Sequence, residues 1–248
     1  MRSPELAGGE TPDSAEIGER FAALAPWSTR FEIEGAAFGG ELDYSDDHRV
    51  PTFFRWFGAP RTILELSSFE GAHTLQLAAP QTTERVVGIE GRAQNLARSQ
   101  LVAELLGRGN VEFRQEDLET VDLAQHGRFD AVFCAGLLYH LETPWRLVRE
   151  VARVTDHFFL DTNYWSGDED EVEAEGHRGG WYDEGDYTDP VRALSGLRKR
   201  SFWLTLPSLL KVVTSAGWAV HHVEHIPKWG PGPRVWLGCS RRPAHATA

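Results

Sequence analysis

Two short apolar runs in this 248-residue chain, and a third segment from Val111 to Asp117, each carry an acidic residue at or near their carboxyl end: Glu65 in Arg61 to Leu66, Glu90 in Arg85 to Glu90, and Asp117. Runs of this kind read as strands buried on both faces, and ligands of doubly wound α/β sheets lie at such carboxyl ends. A carboxylate at the end of the second strand can accept hydrogen bonds from both hydroxyls of a ribose, as it does in dinucleotide-binding enzymes. A fourth run, Phe129 to Cys134, is followed by Tyr139 and His140, and a fifth ends at Asp161. Imidazole titrates near neutrality, so His140 is the candidate base for a hydroxyl nucleophile, with Asp161 placed to orient its ring.

The elements that must hold these groups follow a β-then-α rhythm. After the first strand the chain turns through small and polar residues and opens a helix over Ala72 to Ala79. A second helix spans Gly91 to Leu106, with Ala97, Leu101 and Leu105 on one stripe and Gly107 past its end. Thr143 suits an N-cap and Pro144 the first helical position of a helix running to about Val154. A helix from Pro207 to Ala216 precedes two strand-like runs, Ala219 to Ile226 and Arg234 to Ser240. Such alternation predicts a parallel sheet with helices on both faces.

Four motifs, in order and spacing, resemble those of class I S-adenosylmethionine-dependent methyltransferases: Glu65-Leu-Ser-Ser-Phe-Glu-Gly71, Gly88-Ile-Glu-Gly-Arg92, Glu116-Asp-Leu118 and Phe129-Asp-Ala-Val-Phe-Cys-Ala-Gly-Leu-Leu-Tyr-His140. The likeness covers roughly residues 60 to 165. It departs from the family in the first loop, where glycines usually stand second, fourth and sixth after the acidic residue; here Ser67 and Phe69 replace the first two and Gly71 remains. The resemblance implies a Rossmann-like, seven-stranded, mostly parallel sheet of order 3-2-1-4-5-7-6, its antiparallel last strand slipped between the fifth and sixth. It also implies S-adenosyl-L-methionine as donor. The donor would be held by Glu65, Ser67, Gly71, Glu90, Gly91, Asp117, Leu118, Ala135 and Tyr139, with Gly136 beneath its methionine arm. Ser67 and Glu70 also fit a capping box, a purely structural reading.

The remaining chain divides around that core of residues 59–163. Residues 1–58 read as a tail followed by a helical lid segment, with Phe38, Tyr44, Arg49 and Phe53 as lid residues or as simple packing against the sheet. Residues 164–203 form an acidic, aromatic-rich insertion, with a short helix starting at Asp189-Pro190; a loop this long is functional or disordered, and its aromatics argue for function. The expected acceptor pocket is Tyr44, Arg49, Trp165, Trp181 and Trp203. Residues 204–248 complete the core.

A formal net charge of -12 disfavours nucleic acid, which recruits Lys and Arg. The absence of a long apolar run or a leader pattern leads to an expectation of a cytoplasmic protein with no membrane association. The chain's two cysteines, Cys134 and Cys239, lie in apolar runs and read as buried thiols, and no metal is expected. Along a strand His221 and His225 share a face while His222 points opposite, so the three do not form one ligand set. The expected activity is methyl transfer to a small acceptor, such as a hydroxylated natural-product or sugar-like intermediate, by a monomer or homodimer. Alternatives are modification of a transfer-RNA wobble uridine, a nicotinamide-dependent oxidoreductase, which would want the full Gly-x-Gly-x-x-Gly loop, and a non-catalytic interaction module.

Overall fold

The computed structural model describes residues 13–167, 170–186, 194–229 and 231–241, with the backbone alone for 227–229. The chain starts with α1 (Ser14–Ala23), capped by the Asp13 carboxylate on the N–H groups of Ala15 and Glu16, then a hairpin of β1 (Arg30–Ile33) and β2 (Ala36–Gly39) and α2 (Arg49–Phe57). The sheet motifs follow: β3 (Thr62–Leu66), α3 (Ala72–Leu77), β4 (Arg85–Glu90), α4 (Ala93–Leu105), β5 (Val111–Gln115), β6 (Ala131–Ala135), α5 (Pro144–Val154) and β7 (His157–Asn163). Next come β8 (Val172–Ala174), β9 (His177–Asp183), β10 (Arg200–Leu204), α6 (Leu206–Ser215), β11 (Trp218–Trp229) and β12 (Gly232–Arg241).

Seven strands form one sheet in the order β5-β4-β3-β6-β7-β12-β11. The five motif strands are parallel, while β12 runs antiparallel between β7 and β11. This is the order and polarity that the resemblance of the motifs implied. Apolar side chains leave both faces of the sheet. Leu64, Leu66, Val87, Val132 and Leu160 pack under α5 and α6, while Ile63, Val86, Phe133 and Phe159 pack under α2 and α3. A parallel sheet covered on both sides has no solvated face, so its polar chemistry collects at the strand ends.

The insertion folds as a separate antiparallel sheet, β10-β9-β8. Period-2 alternation turns Trp181 and Phe202 into the main core, where their rings meet edge to face at 5.0 Å. The opposite face carries Tyr182 stacked on Trp203 at 4.8 Å. The helix expected at Asp189-Pro190, and residues 1–12 of the expected tail, lie outside the described residues.

Several local expectations are corrected by packing. Ser67 and Glu70 form no capping box: Gly71 occupies the N-cap of α3 with no side-chain cap bond. Glu70 is fully buried, accepting from the N–H groups of Ser28 and Thr29 and pairing with Arg98 of α4 at 3.0 Å. Arg98 also donates to the Leu24 carbonyl, so the pair staples the N-terminal segment to the sheet domain. Phe53 is core, packed against Phe133 and Phe159, and Phe38 packs on Phe21 of α1; neither covers a ligand site. Thr143 makes no cap bond because its hydroxyl donates to Glu119, although Pro144 does open α5.

Removing one member of a buried ion pair leaves an uncompensated charge. Glu70→Ala is therefore expected to lower unfolding free energy by about 3–5 kcal/mol in urea titrations; a loss below about 1 kcal/mol, the range of an exposed pair, would contradict the stapling role.

Candidate active site

The carboxyl ends of β3, β4, β5 and β6 open into a cleft of about 320 Å³. Its floor is the β3–α3 turn. Ser67, Phe69 and Gly71 there have φ of 65°, 53° and 91°, so the left-handed backbone that glycines usually supply persists where Ser and Phe stand. Three hydrogen bonds hold the turn: Ser68 N–H to the Ile89 carbonyl (2.9 Å), Phe69 N–H to Glu90 Oε2 (2.9 Å) and Gly71 N–H to the Ser68 carbonyl (2.8 Å). Ser67 and Phe69 consequently present side chains to the cleft. Gly71 does not line it; a Cβ there would stand 2.9 Å from Cβ of Ser99, so this glycine lets the turn close onto α4.

Glu90 lies on the cleft wall, its Oε1 accepting from Arg92 N–H at 2.8 Å. Burial pushes its carboxyl above the ordinary range, opposed by the N–H groups of Arg92 and Phe69 and by Asn95. Gly91, Leu118, Ala135, Gly136, Tyr139 and His140 also line the cleft, as do Tyr44 and Arg49 from the N-terminal segment.

Other expected donor residues are turned away. Glu65 is buried and accepts from the Thr74 hydroxyl, with His73 Nδ1 3.9 Å from it. Burial pushes its carboxyl up to about 8, with Thr74 and Arg49 opposing and Glu90 adding to the rise. Asp117 caps the Glu119 N–H and pairs with Arg198, while its neighbours Glu116 and Leu118 face the cleft. Trp165, Trp181 and Trp203 do not line it either. Trp165 lies over Gly180, Trp181 is committed to the core, and Trp203 stands behind Tyr139 at 5.5 Å.

Asp161 does not orient His140. It is fully buried and neutralised by Arg234, through Nε and through Nη2 at 2.5 Å, and by Arg49 Nη1 at 3.2 Å. His140 instead has Nδ1 3.0 Å from both carboxylate oxygens of Glu184, in the loop after β9. Glu184 is one of nine acidic residues between Tyr164 and Tyr187, and nothing in the sequence distinguishes it from the others. Burial would raise its carboxyl, but the hydrogen bond and charge of His140, the Gly196 N–H and the Ser201 hydroxyl outweigh that and hold it below the usual range. Arg92, Arg234 and residues 194–197 were also invisible as cleft residues in the sequence; only folding brings them there.

Among solved structures, the N-terminal domain of EvdMO1, crystallised in the presence of SAH and D-fucose, is 36% identical, with a TM-score of 0.81 over 94% of this chain and 99% of that one. The chain belongs to the class I S-adenosylmethionine-dependent methyltransferases. The family described as "Methyltransferase domain" matches residues 64–157 of this methyltransferase. Against the crystal structure of EvdMO1 it is 32% identical, TM-score 0.69, covering 96% of this chain and 49% of that one, so the methyltransferase spans about half of that chain. An S-adenosylmethionine-dependent methyltransferase from Mesorhizobium loti shares the fold at 17% identity, TM-score 0.57, over 77% of this chain and 95% of that one. A search of curated proteins found no match.

The cleft fits the family's donor on its own chemistry. It offers a buried carboxylate on the second motif strand for paired hydroxyls, an apolar Leu118 wall, and a left-handed turn at Gly136, φ 76°, bordering the space above β6. No helix among the described residues is long and apolar enough to cross a membrane. Nor do His221, His222 and His225 converge: the first meets Ser240, the second stacks on Trp56 and the third meets Tyr164.

A carboxyl with a folded pKa near 8 and an unfolded value near 4.5 binds more protons folded than unfolded between those limits. Stability from this group is therefore fully present below about pH 4.5, declines by up to about 1.4 kcal/mol per pH unit through the window, and levels off above pH 8. Glu65→Gln removes that slope while keeping a partner for Thr74. Urea unfolding at pH 6 and pH 8.5 should show the variant gaining on wild type at the higher pH, and parallel curves would contradict the protonated state of Glu65.

Proposed function

We propose that this methyltransferase moves a methyl group from S-adenosyl-L-methionine to a hydroxyl oxygen of a small, sugar-like acceptor, with His140 receiving the hydroxyl proton. The carrying observation is the imidazole on the cleft wall: Nδ1 rests on the Glu184 carboxylate, while Nε2 has no protein partner among the described residues. An ionised Glu184 selects the tautomer with hydrogen on Nδ1, leaving a lone pair on Nε2. When bound, the donor supplies an electrophilic methyl carbon on a sulfonium and leaves as neutral S-adenosylhomocysteine.

The chain's own work is alignment and proton removal. Displacement at carbon needs acceptor oxygen, methyl and sulfur in line, and that geometry comes from gripping both partners. Glu90 would take the two ribose hydroxyls, and Leu118 would border the adenine. The turn at Ser67 and Phe69 and the backbone at Ala135 and Gly136 would carry the methionine arm. Tyr44, Arg49 and Tyr139 offer hydroxyl, guanidinium and ring surfaces on the acceptor side, chemistry suited to a polyhydroxylated molecule. The D-fucose present with the EvdMO1 domain supports the same class, and the net charge of -12 supports a small acceptor over RNA.

Glu90→Ala should weaken S-adenosylhomocysteine at least about tenfold by calorimetry, since a hydrogen bond to a charged group is worth about 1.5–3 kcal/mol, while unfolding stays cooperative. Unchanged affinity would refute the ribose role. His140→Ala should lower turnover by about 10²–10⁴ with product affinity within about twofold of wild type. The acceptor class is tested by S-adenosylhomocysteine release with D-fucose and other hexoses and deoxyhexoses in the presence of RNase; methylation of none of them, alongside activity on RNA without the nuclease, would overturn it.

A further inference from the structure

The segment 194–198, at the end of the insertion, touches both halves of the cleft. On the donor side, Arg92 Nη2 donates to the carbonyls of Ser195 (3.1 Å) and Gly196 (2.8 Å) and to the Ser195 hydroxyl (3.0 Å). Arg198 pairs with Asp117, and Leu197 lies against Gly91 so closely that a Cβ there would collide with it. Across the cleft, the Gly196 N–H donates to Glu184 Oε2 at 2.8 Å, and Ser201 Oγ donates to Oε1 at 2.6 Å. A Cβ at Gly196 would stand 2.6 Å from the His140 carbonyl and 3.3 Å from Glu184 Cδ, so only glycine brings this amide so near the carboxylate. Arg92 connects the halves, because its N–H holds Glu90 while its guanidinium holds the segment.

Resting on the assignment of His140 as base, we propose that Glu184 is its positioning residue and that the 194–198 segment, gripped by Arg92 and Asp117 beside the donor's nucleoside half, holds Glu184 where it keeps His140 Nε2 unprotonated and facing the acceptor. The imidazole then has two carboxylate oxygens at Nδ1 and, among the described residues, none at Nε2. Glu184 is only 5% exposed, so it cannot swing to water, and its remaining partners among the described residues, Gly196 and Ser201, belong to the insertion. Donor binding at Glu90 and the orientation of the base thus share one residue, Arg92.

The test needs no acceptor. The full chain, labelled with ¹⁵N-histidine and saturated with S-adenosylhomocysteine at pH 8.5, is observed by long-range ¹H–¹⁵N correlation, the His140 ring being assigned by its loss in His140→Gln. Wild type should hold the Nδ1–H tautomer. Glu184→Gln, whose amide can donate as well as accept, should raise the Nε2–H fraction at least about tenfold. Arg92→Ala should shift the ratio in the same direction, and the double variant should go no further than Glu184→Gln alone, because both act through one contact. Ser201→Ala, a smaller change at the same carboxylate, should give a smaller shift and serves if Glu184→Gln does not fold. A wild-type ratio in Glu184→Gln, or in Ser201→Ala should that one be needed, overturns the positioning role. A wild-type ratio in Arg92→Ala, or an additive double variant, overturns the part played by the segment. Failure of the base assignment is separate: His140→Ala would then keep wild-type turnover whatever the tautomer ratios are.

Discussion

The arrangement of the cleft depends on neutralising one fully buried carboxylate, Asp161. Leaving such a group unpaired costs several kcal/mol, so its partners must come to it. Arg49 comes from the start of α2 and Arg234 from β12. The antiparallel entry of β12 sets Trp236 opposite Asp161 and Arg234 two residues further along, on the same face. Arg49 in turn holds Asp47, whose carboxyl burial would raise but which hydrogen bonds from His73 and Arg49 keep far below the usual range. His73 reaches from Asp47 toward Glu65. One polar chain therefore runs under the cleft and ties the N-terminal segment, β3, β7 and β12 into a fixed frame.

The β3–α3 turn shows strain kept for a use. Non-glycine residues at positive φ cost about 1–3 kcal/mol and persist only where their surroundings over-determine them. Here a bond to β4, a bond to Glu90 and a bond within the turn fix Ser67 and Phe69. Glycines would ease the backbone but would offer the cleft no hydroxyl and no ring.

The insertion divides its labour by strand alternation. Its inward face adds Trp181 and Phe202 to the core, which gives the small sheet a firm base. Its other face and the loop after β9 bring Glu184 to His140, while the run into β10 lies against Gly91 on the opposite side of the cleft. An element outside the seven-stranded sheet thereby borders the cleft from both sides.

By itself the sequence determined the sheet. Strands buried on both faces need unbroken apolar runs, and the helices between them need periodic stripes, so the alternation of strands and helices and the ends carrying Glu90 and His140 were legible as local pattern, while strand order and the antiparallel last strand followed from the resemblance of the motifs to a known family. Local pattern also brought Ser67, Leu118, Ala135 and Tyr139 to the cleft, because each sits within a few residues of a strand end. Partnership is not local. Whether His140 meets Asp161 or Glu184, 44 residues away, and whether Glu70 caps a helix or pairs with Arg98, 28 residues away, depends on which buried charges fall within hydrogen-bond distance once the layers are packed. The cost of an uncompensated charge is settled only there, so tertiary structure alone assigned those partners.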